Sequence, residues 1–143
     1  MTINPPLYIA STRIHCWKCD AQMPAVTLVA RDVPEGFGDV CVLSNIQTLP
    51  PAVAHFVGRH FPHFQLRYSK TTQSRYFANT CPKCHMLSGD FHLHSEPGAT
   101  FCPETPEDAR SLWLKEIPLD GPVDIDASPA VGSGELILEH GRR

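Results

Sequence analysis

The sequence predicts an α+β fold with antiparallel strands, and three observations predict it. Two Cys-x-x-Cys turns, in RIHCWKCDAQMP and NTCPKCHMLSGD, each adjoin a segment with strand periodicity. One segment, TLPPAVAHFVGRHFP, carries a helical stripe. Fourteen prolines among 143 residues keep the elements short. That length suits one compact domain rather than two.

Leu7, Ile9 and Ile14 lead as a strand into the first turn, and Val26, Leu28 and Ala30 alternate with Thr27 and Val29 on the way out. Residues 31–39, RDVPEGFGD, read as an exposed loop, and Val40 to Leu43 as a short buried strand. A helix follows from about Pro50 to Phe61. Thr48 is its expected cap, proline sits in its first turn, and Leu49, Val53, Phe56, Val57 and His60 share one stripe. Phe64, Leu66 and Tyr68 alternate with Gln65, Arg67 and Ser69, and with RYFAN they predict a hairpin that delivers the chain to the second turn. GDFHLHS reads as extended, with Phe91 and Leu93 on one face and His92 and His94 on the other. Thr105-Pro-Glu-Asp signals a short helix with Ala109, Leu112 and Trp113 at helical spacing, and ELILEH is the last strand candidate.

Cys16 and Cys19, like Cys81 and Cys84, are spaced so that both sulfurs of a pair converge on one ion from a tight turn. Four thiolates complete the tetrahedral shell of a structural Zn2+ site. Asp20 and His85 follow the second cysteine of each pair, and Asp and His are among the non-glycine residues that tolerate positive φ. The 61 residues between Cys19 and Cys81 are a weak obstacle: doubling a loop adds about 0.6 kcal/mol of closure entropy, against about 10–16 kcal/mol for zinc in small fingers. The competing reading is a thiol-disulfide oxidoreductase using a CxxC pair. A redox pair normally opens a helix, and HMLSGDF after Cys84 leaves little room for one.

Cys41 and Cys102 read as buried or half-buried free thiols, Cys102 having the stronger claim as a spare ligand. His92 and His94 at i, i+2 on a strand, with Asp90 nearby, could serve a metal-dependent hydrolase, against the plainer reading of a solvent-facing polar edge or of hydrogen bonds inside the fold. Arg59, Arg67, Lys70, Arg75 and Tyr76 lie in a stretch of cations interleaved with aromatics that could hold phosphate and stack bases. The simpler account is a hairpin with aromatics inward and charges outward.

A formal charge of −3 argues against a generalised polyanion binder and leaves room for a local basic patch. No apolar run reaches the length of a membrane span, and the first residues lack the pattern of a signal peptide, so a cytoplasmic protein with reduced thiols is expected.

HCWKCDAQMPAVTLVA, TLPPAV and RYFANTCPKCHMLSGDFHLHSEPGATF resemble a group of bacterial zinc-ribbon-type hypothetical proteins with two CxxC knuckles, over about Ile14 to Pro103. The resemblance implies Cys16, Cys19, Cys81 and Cys84 as zinc ligands and implies no substrate or reaction. The sequence departs from that group at His85, where glycine is commoner, at His92, where an aromatic is commoner, and at Cys102, where the pattern has no cysteine.

The expectation is therefore one zinc-ribbon-like domain over residues 1–143. Knuckle 1 lies at 14–24, a helix-plus-hairpin insertion at 45–78, knuckle 2 at 79–90, and a helix and strand at 104–141. Its role is non-enzymatic binding or adaptor work on protein or nucleic acid, with the two enzymes above as the alternative.

Overall fold

Strand β1 spans Thr2–His15 and β2 spans Gln22–Asp32, and their antiparallel ladder runs from His15↔Gln22 back to Asn4↔Asp32. The register breaks between Asn4 and Leu7, where Pro5 and Pro6 have no amide to donate. Every side chain from Ala25 to Ala30 is buried, as expected of a strand covered on both faces. The computed structural model describes residues 1–36 and 38–143. Of the loop expected at 31–39, Asp32 ends β2, Val33 is buried and Pro34–Gly36 form a 3-10 turn; Phe37 lies outside the described residues.

The remaining elements are β3 (Cys41–Thr48), α1 (Pro51–His60), β4 (Phe64–Ser69), β5 (Ser74–Thr80), β6 (Leu87–Ser88), α2 (Asp90–His94), α3 (Pro106–Arg110), β7 (Trp113–Ile117), β8 (Val123–Asp124), β9 (Asp126–Val131) and α4 (Gly134–His140). The larger sheet is antiparallel with strand order β7-β1-β2-β3-β9, and β8 pairs with the start of β1. The smaller sheet is β4-β5-β6.

Side-chain alternation splits the core into two layers around the larger sheet. Leu7, Ile9, Val26, Leu28 and Leu43 face one layer, with Val53 and Val57 of α1 and with Phe64. Ala10, Ala25, Val29 and Val42 face the other, with Leu93, Phe101, Leu112, Leu114, Ile137 and Leu138.

The structure departs from the sequence-based elements in four places. The helix at 51–60 is present, but Thr48 ends β3 and Pro50 takes the cap position without a side-chain bond. Residues 90–94 are helical rather than extended, so Leu93 turns into the core while Phe91 and His92 stay exposed. Thr105 caps α3 by accepting from the Asp108 amide as expected, yet the helix stops at Arg110 and Trp113 begins a strand. ELILEH is helix α4 rather than a strand, because its buried stripe is Gly134, Ile137 and Leu138. A Cβ at Gly134 would meet Val40 Cγ1 at 2.6 Å, so the close approach of this helix to the sheet requires glycine there.

Candidate metal centre

Each Cys-x-x-Cys pair sits in a turn between two strands. The first joins β1 to β2, and the second joins β5 to β6. The two turns have the same hydrogen bonds. Asp20 N donates to Cys16 O and His85 N to Cys81 O, both at 2.9 Å; Cys16 N donates to Ala21 O at 2.8 Å and Cys81 N to Met86 O at 2.9 Å. Asp20 and His85 hold φ of 62° and 66°, the left-handed conformation that closes such a turn. Both residues therefore occupy the position that glycine would fill with less strain.

What brings the two turns together is the buried side chain of Asn79 in β5. Its Oδ1 accepts from Val26 N at 2.8 Å and its Nδ2 donates to Val26 O at 3.1 Å. The β2–β3 ladder covers Leu28 to Ala30, so Val26 lies beyond its paired residues, and the amide side chain supplies the bonds a neighbouring strand would make. Arg67 of β4 braces the second turn within the smaller sheet, donating to His85 O at 3.1 Å.

The four sulfurs then lie within 4.8 Å of one another. Cys16 Sγ is 3.5 Å from Cys84 Sγ, and Cys19 Sγ is 3.7 Å from Cys81 Sγ. Sulfurs bonded at about 2.3 Å to one tetrahedral zinc ion stand about 3.8 Å apart. A disulfide would need about 2.05 Å. The cluster can therefore hold a metal ion.

The backbone prepares these thiols for ionisation. Amides of Cys19 and Lys18 lower the pKa of Cys16, the latter with N 3.4 Å from the sulfur. Amides of Cys84 and Lys83 hold Cys81 down at about 6. Cys84 accepts from the Met86 amide, yet desolvation and the three neighbouring cysteines push it up to about 11. Four such close sulfurs cannot all be thiolates unless a cation neutralises them, and a divalent metal is the group that would do so.

The other sulfur, histidine and surface candidates lie apart from this cluster. Cys41 is buried in the larger core layer, where desolvation raises its pKa, and its Sγ faces Asp39 O. Cys102 accepts from the Ser133 hydroxyl at 3.5 Å. Among the described residues no other group of three His, Cys, Asp or Glu converges as these cysteines do. His92 is exposed while His94 is packed 5.2 Å from the Phe101 ring, so the shared face expected for them does not exist. Arg59, Lys70 and Arg75 are exposed and Arg67 is half-buried. Tyr76 is buried rather than on the surface expected for it, its hydroxyl accepting from the Asp90 amide at 3.3 Å.

Asp90 and His94 form a largely buried pair inside the fold, one of the two plain readings open for this segment. Their side chains are 17% and 11% exposed, with His94 Nε2 3.9 Å from Asp90 Oδ1. Asp90 accepts from Asn45 N at 2.7 Å, which fixes Asn45 at a φ of 49°. Burial raises Asp90 to about 6, the Asn45 amide opposing, and lowers His94 to about 4. A raised carboxyl contributes stability below its unfolded pKa that is lost as pH rises through about 6; a lowered histidine contributes stability above its unfolded pKa that is lost as pH falls. The two trends oppose each other between pH 6.5 and 4. Asp90→Asn keeps an acceptor for Asn45 and removes the first trend, so relative to this variant the native protein should gain about 1 kcal/mol between pH 7 and pH 5. Paired urea denaturation at the two pH values measures it, since metal loss in acid is common to both proteins; a constant difference would show that Asp90 is not raised.

Fold and site together define an α+β protein with a four-cysteine cluster able to bind metal between two sheets. Among the described residues no helix is long and apolar enough to cross a membrane. The chain has no significant match among family models, curated proteins or solved structures.

Proposed function

We propose that this chain is a zinc-ribbon-type protein in which Cys16, Cys19, Cys81 and Cys84 ligate one structural Zn2+, and that residues 1–143 form a single non-enzymatic binding or adaptor domain acting on protein or nucleic acid in the bacterial cytoplasm. The observation that carries the reading is the spacing of the four sulfurs, which matches the edges of a ZnS4 tetrahedron. Four protein ligands leave no open position for water or substrate, so the ion acts as a crosslink rather than a Lewis acid. The mirrored turns support the ribbon-type assignment, since each presents its sulfurs through the same backbone bonds.

The enzymatic alternatives find less support. A hydrolase using His92 and His94 would need both to face one ion, and their side chains diverge. An oxidoreductase would need one pair at a helix N-terminus; both pairs run into strands instead. Elemental analysis combined with X-ray absorption at the zinc edge tests the reading. The expected result is one zinc per chain with four sulfur neighbours at about 2.3 Å. Two metals per chain, or nitrogen and oxygen in the first shell, would overturn it.

A further inference from the structure

Trp17 sits inside the first knuckle and is 64% exposed, yet its indole N–H donates to Leu87 O at 2.9 Å. That bond reaches from the turn holding Cys16 and Cys19 to the strand that follows Cys84. The ring is thus exposed and fixed at once, which is how a stacking platform differs from a mobile surface side chain.

Three grooves meet at this ring. One of about 390 Å³ runs between Trp17 and Arg67, Tyr68, Lys70 and Thr71. A second, of about 220 Å³, passes Thr72, Gly89, Phe91 and His92, and a third of about 220 Å³ passes His15 and Thr100. Tyr68 and Phe91, 54% and 64% exposed, stand on the borders of the first two. Arg75, opposite Tyr68 in the β4–β5 ladder, and Lys18 and Lys83 on the knuckles are exposed as well.

The charges point to the occupant. Among the described residues the one Lys or Arg paired with a carboxylate is Arg110, with Glu107, so Lys18, Arg67, Lys70, Arg75 and Lys83 all lack an acidic partner. Residues 1–89 carry eight Lys and Arg against four Asp and Glu, and residues 90–143 carry four against eleven. The net acidity of the chain therefore comes from its C-terminal part and hides a basic N-terminal part. The acids nearest this surface in sequence are Asp20, beside His15 on the first knuckle, and the largely buried Asp90 between Gly89 and Phe91.

We infer that the surface centred on Trp17, with Tyr68, Arg67, Lys70 and Arg75, binds single-stranded nucleic acid. Bases stack on the fixed indole and the Tyr68 ring, and phosphates lie along the cations and the exposed Thr71 hydroxyl. Single strands fit because their bases are free to stack, whereas a duplex hides its base faces. This rests on the proposed crosslinking role of the metal, since both turns must be held for Trp17 to reach Leu87.

Fluorescence anisotropy of labelled 12-nucleotide dT and rU oligonucleotides tests it, on metal-loaded protein whose zinc content has been measured, with a 12-base-pair duplex as comparison. Tryptophan emission is read in a Trp113→Phe background, where Trp17 is the remaining tryptophan. The expected result is binding that quenches Trp17, weakens about tenfold in Trp17→Ala and falls as salt rises, the log–log slope shrinking by about 0.7 for each of Lys70→Gln and Arg75→Gln. Tyr68→Ala, outside the knuckles, should also weaken binding and guards against a folding defect in the Trp17 variant. No binding at low salt would overturn the inference in favour of a protein partner, and equal affinity for the duplex or Trp17 and Tyr68 variants that bind like the native protein would overturn it in favour of non-specific phosphate binding, while the zinc measurement reports separately on the metal site.

Discussion

Chelation lowers the melting temperature by about 8–16 °C: metal free at about a thousand times its dissociation constant contributes about 4 kcal/mol, and each kcal/mol shifts a domain of this size by about 2–4 °C. The physical reason lies in the small core around the site. Cys16, Met23 and Cys81 form their own buried cluster, separate from the two layers on the larger sheet. Without the ion, four sulfurs within 4.8 Å of one another cannot all ionise together, and the second turn would lose an attachment to the first. Loss of order should concentrate at residues 16–23 and 81–88, where amide exchange accelerates first, while amides of β1 to β3 away from the turn stay protected. Cys81→Ser should lose most of its bound metal and melt like the chelated protein. An unchanged melt in protein verified to be metal-free would sink the crosslinking role.

Asn79→Ala is expected to cost about 3 kcal/mol, the sum of two lost hydrogen bonds and of a buried amide and carbonyl on Val26 left without partners. The melting temperature then falls by about 6–12 °C. Because Asn79 stands two residues before Cys81, the same substitution should also weaken zinc binding, which separates it from an ordinary core defect. Competition with a chromogenic zinc chelator reads the second effect. A variant with native affinity for zinc would mean that the turns are held together without this side chain. Gln65→Ala, altering an exposed residue of β4 whose amide reaches only Pro62 O, is the control expected to change neither quantity by more than about 0.5 kcal/mol.

The four-cysteine cluster was legible in the sequence because the geometry of each half is local. Two residues between cysteines and a tolerant residue after the second are enough to specify a turn with convergent sulfurs. The hairpin and the helix at 51–60 were legible for the same reason, their periodicity lying within a few turns of chain. Helix α4 was not, since the first position of its inward stripe, Gly134, is a glycine and carries no apolar signal. Strand β9 contains Pro129, which a strand tolerates at the edge of a sheet, and edge position is not written in the local pattern. Residues 90–94 alternate like a strand, but Leu93 seals the second core layer and Asp90 holds Asn45, and both demands select a helical turn.

By itself, then, the sequence determined which four cysteines could share an ion and the presence of two Cys-x-x-Cys turns around a helix and hairpin. Only the tertiary structure decided that the knuckles meet, through Asn79 and Val26, and that His94 and Tyr76 turn inward while Trp17 is held outward against Leu87. The reason is physical: knuckle geometry depends on backbone bonds spanning four or five residues, whereas the meeting of the knuckles and the exposure of Trp17 depend on bonds spanning 53 and 70.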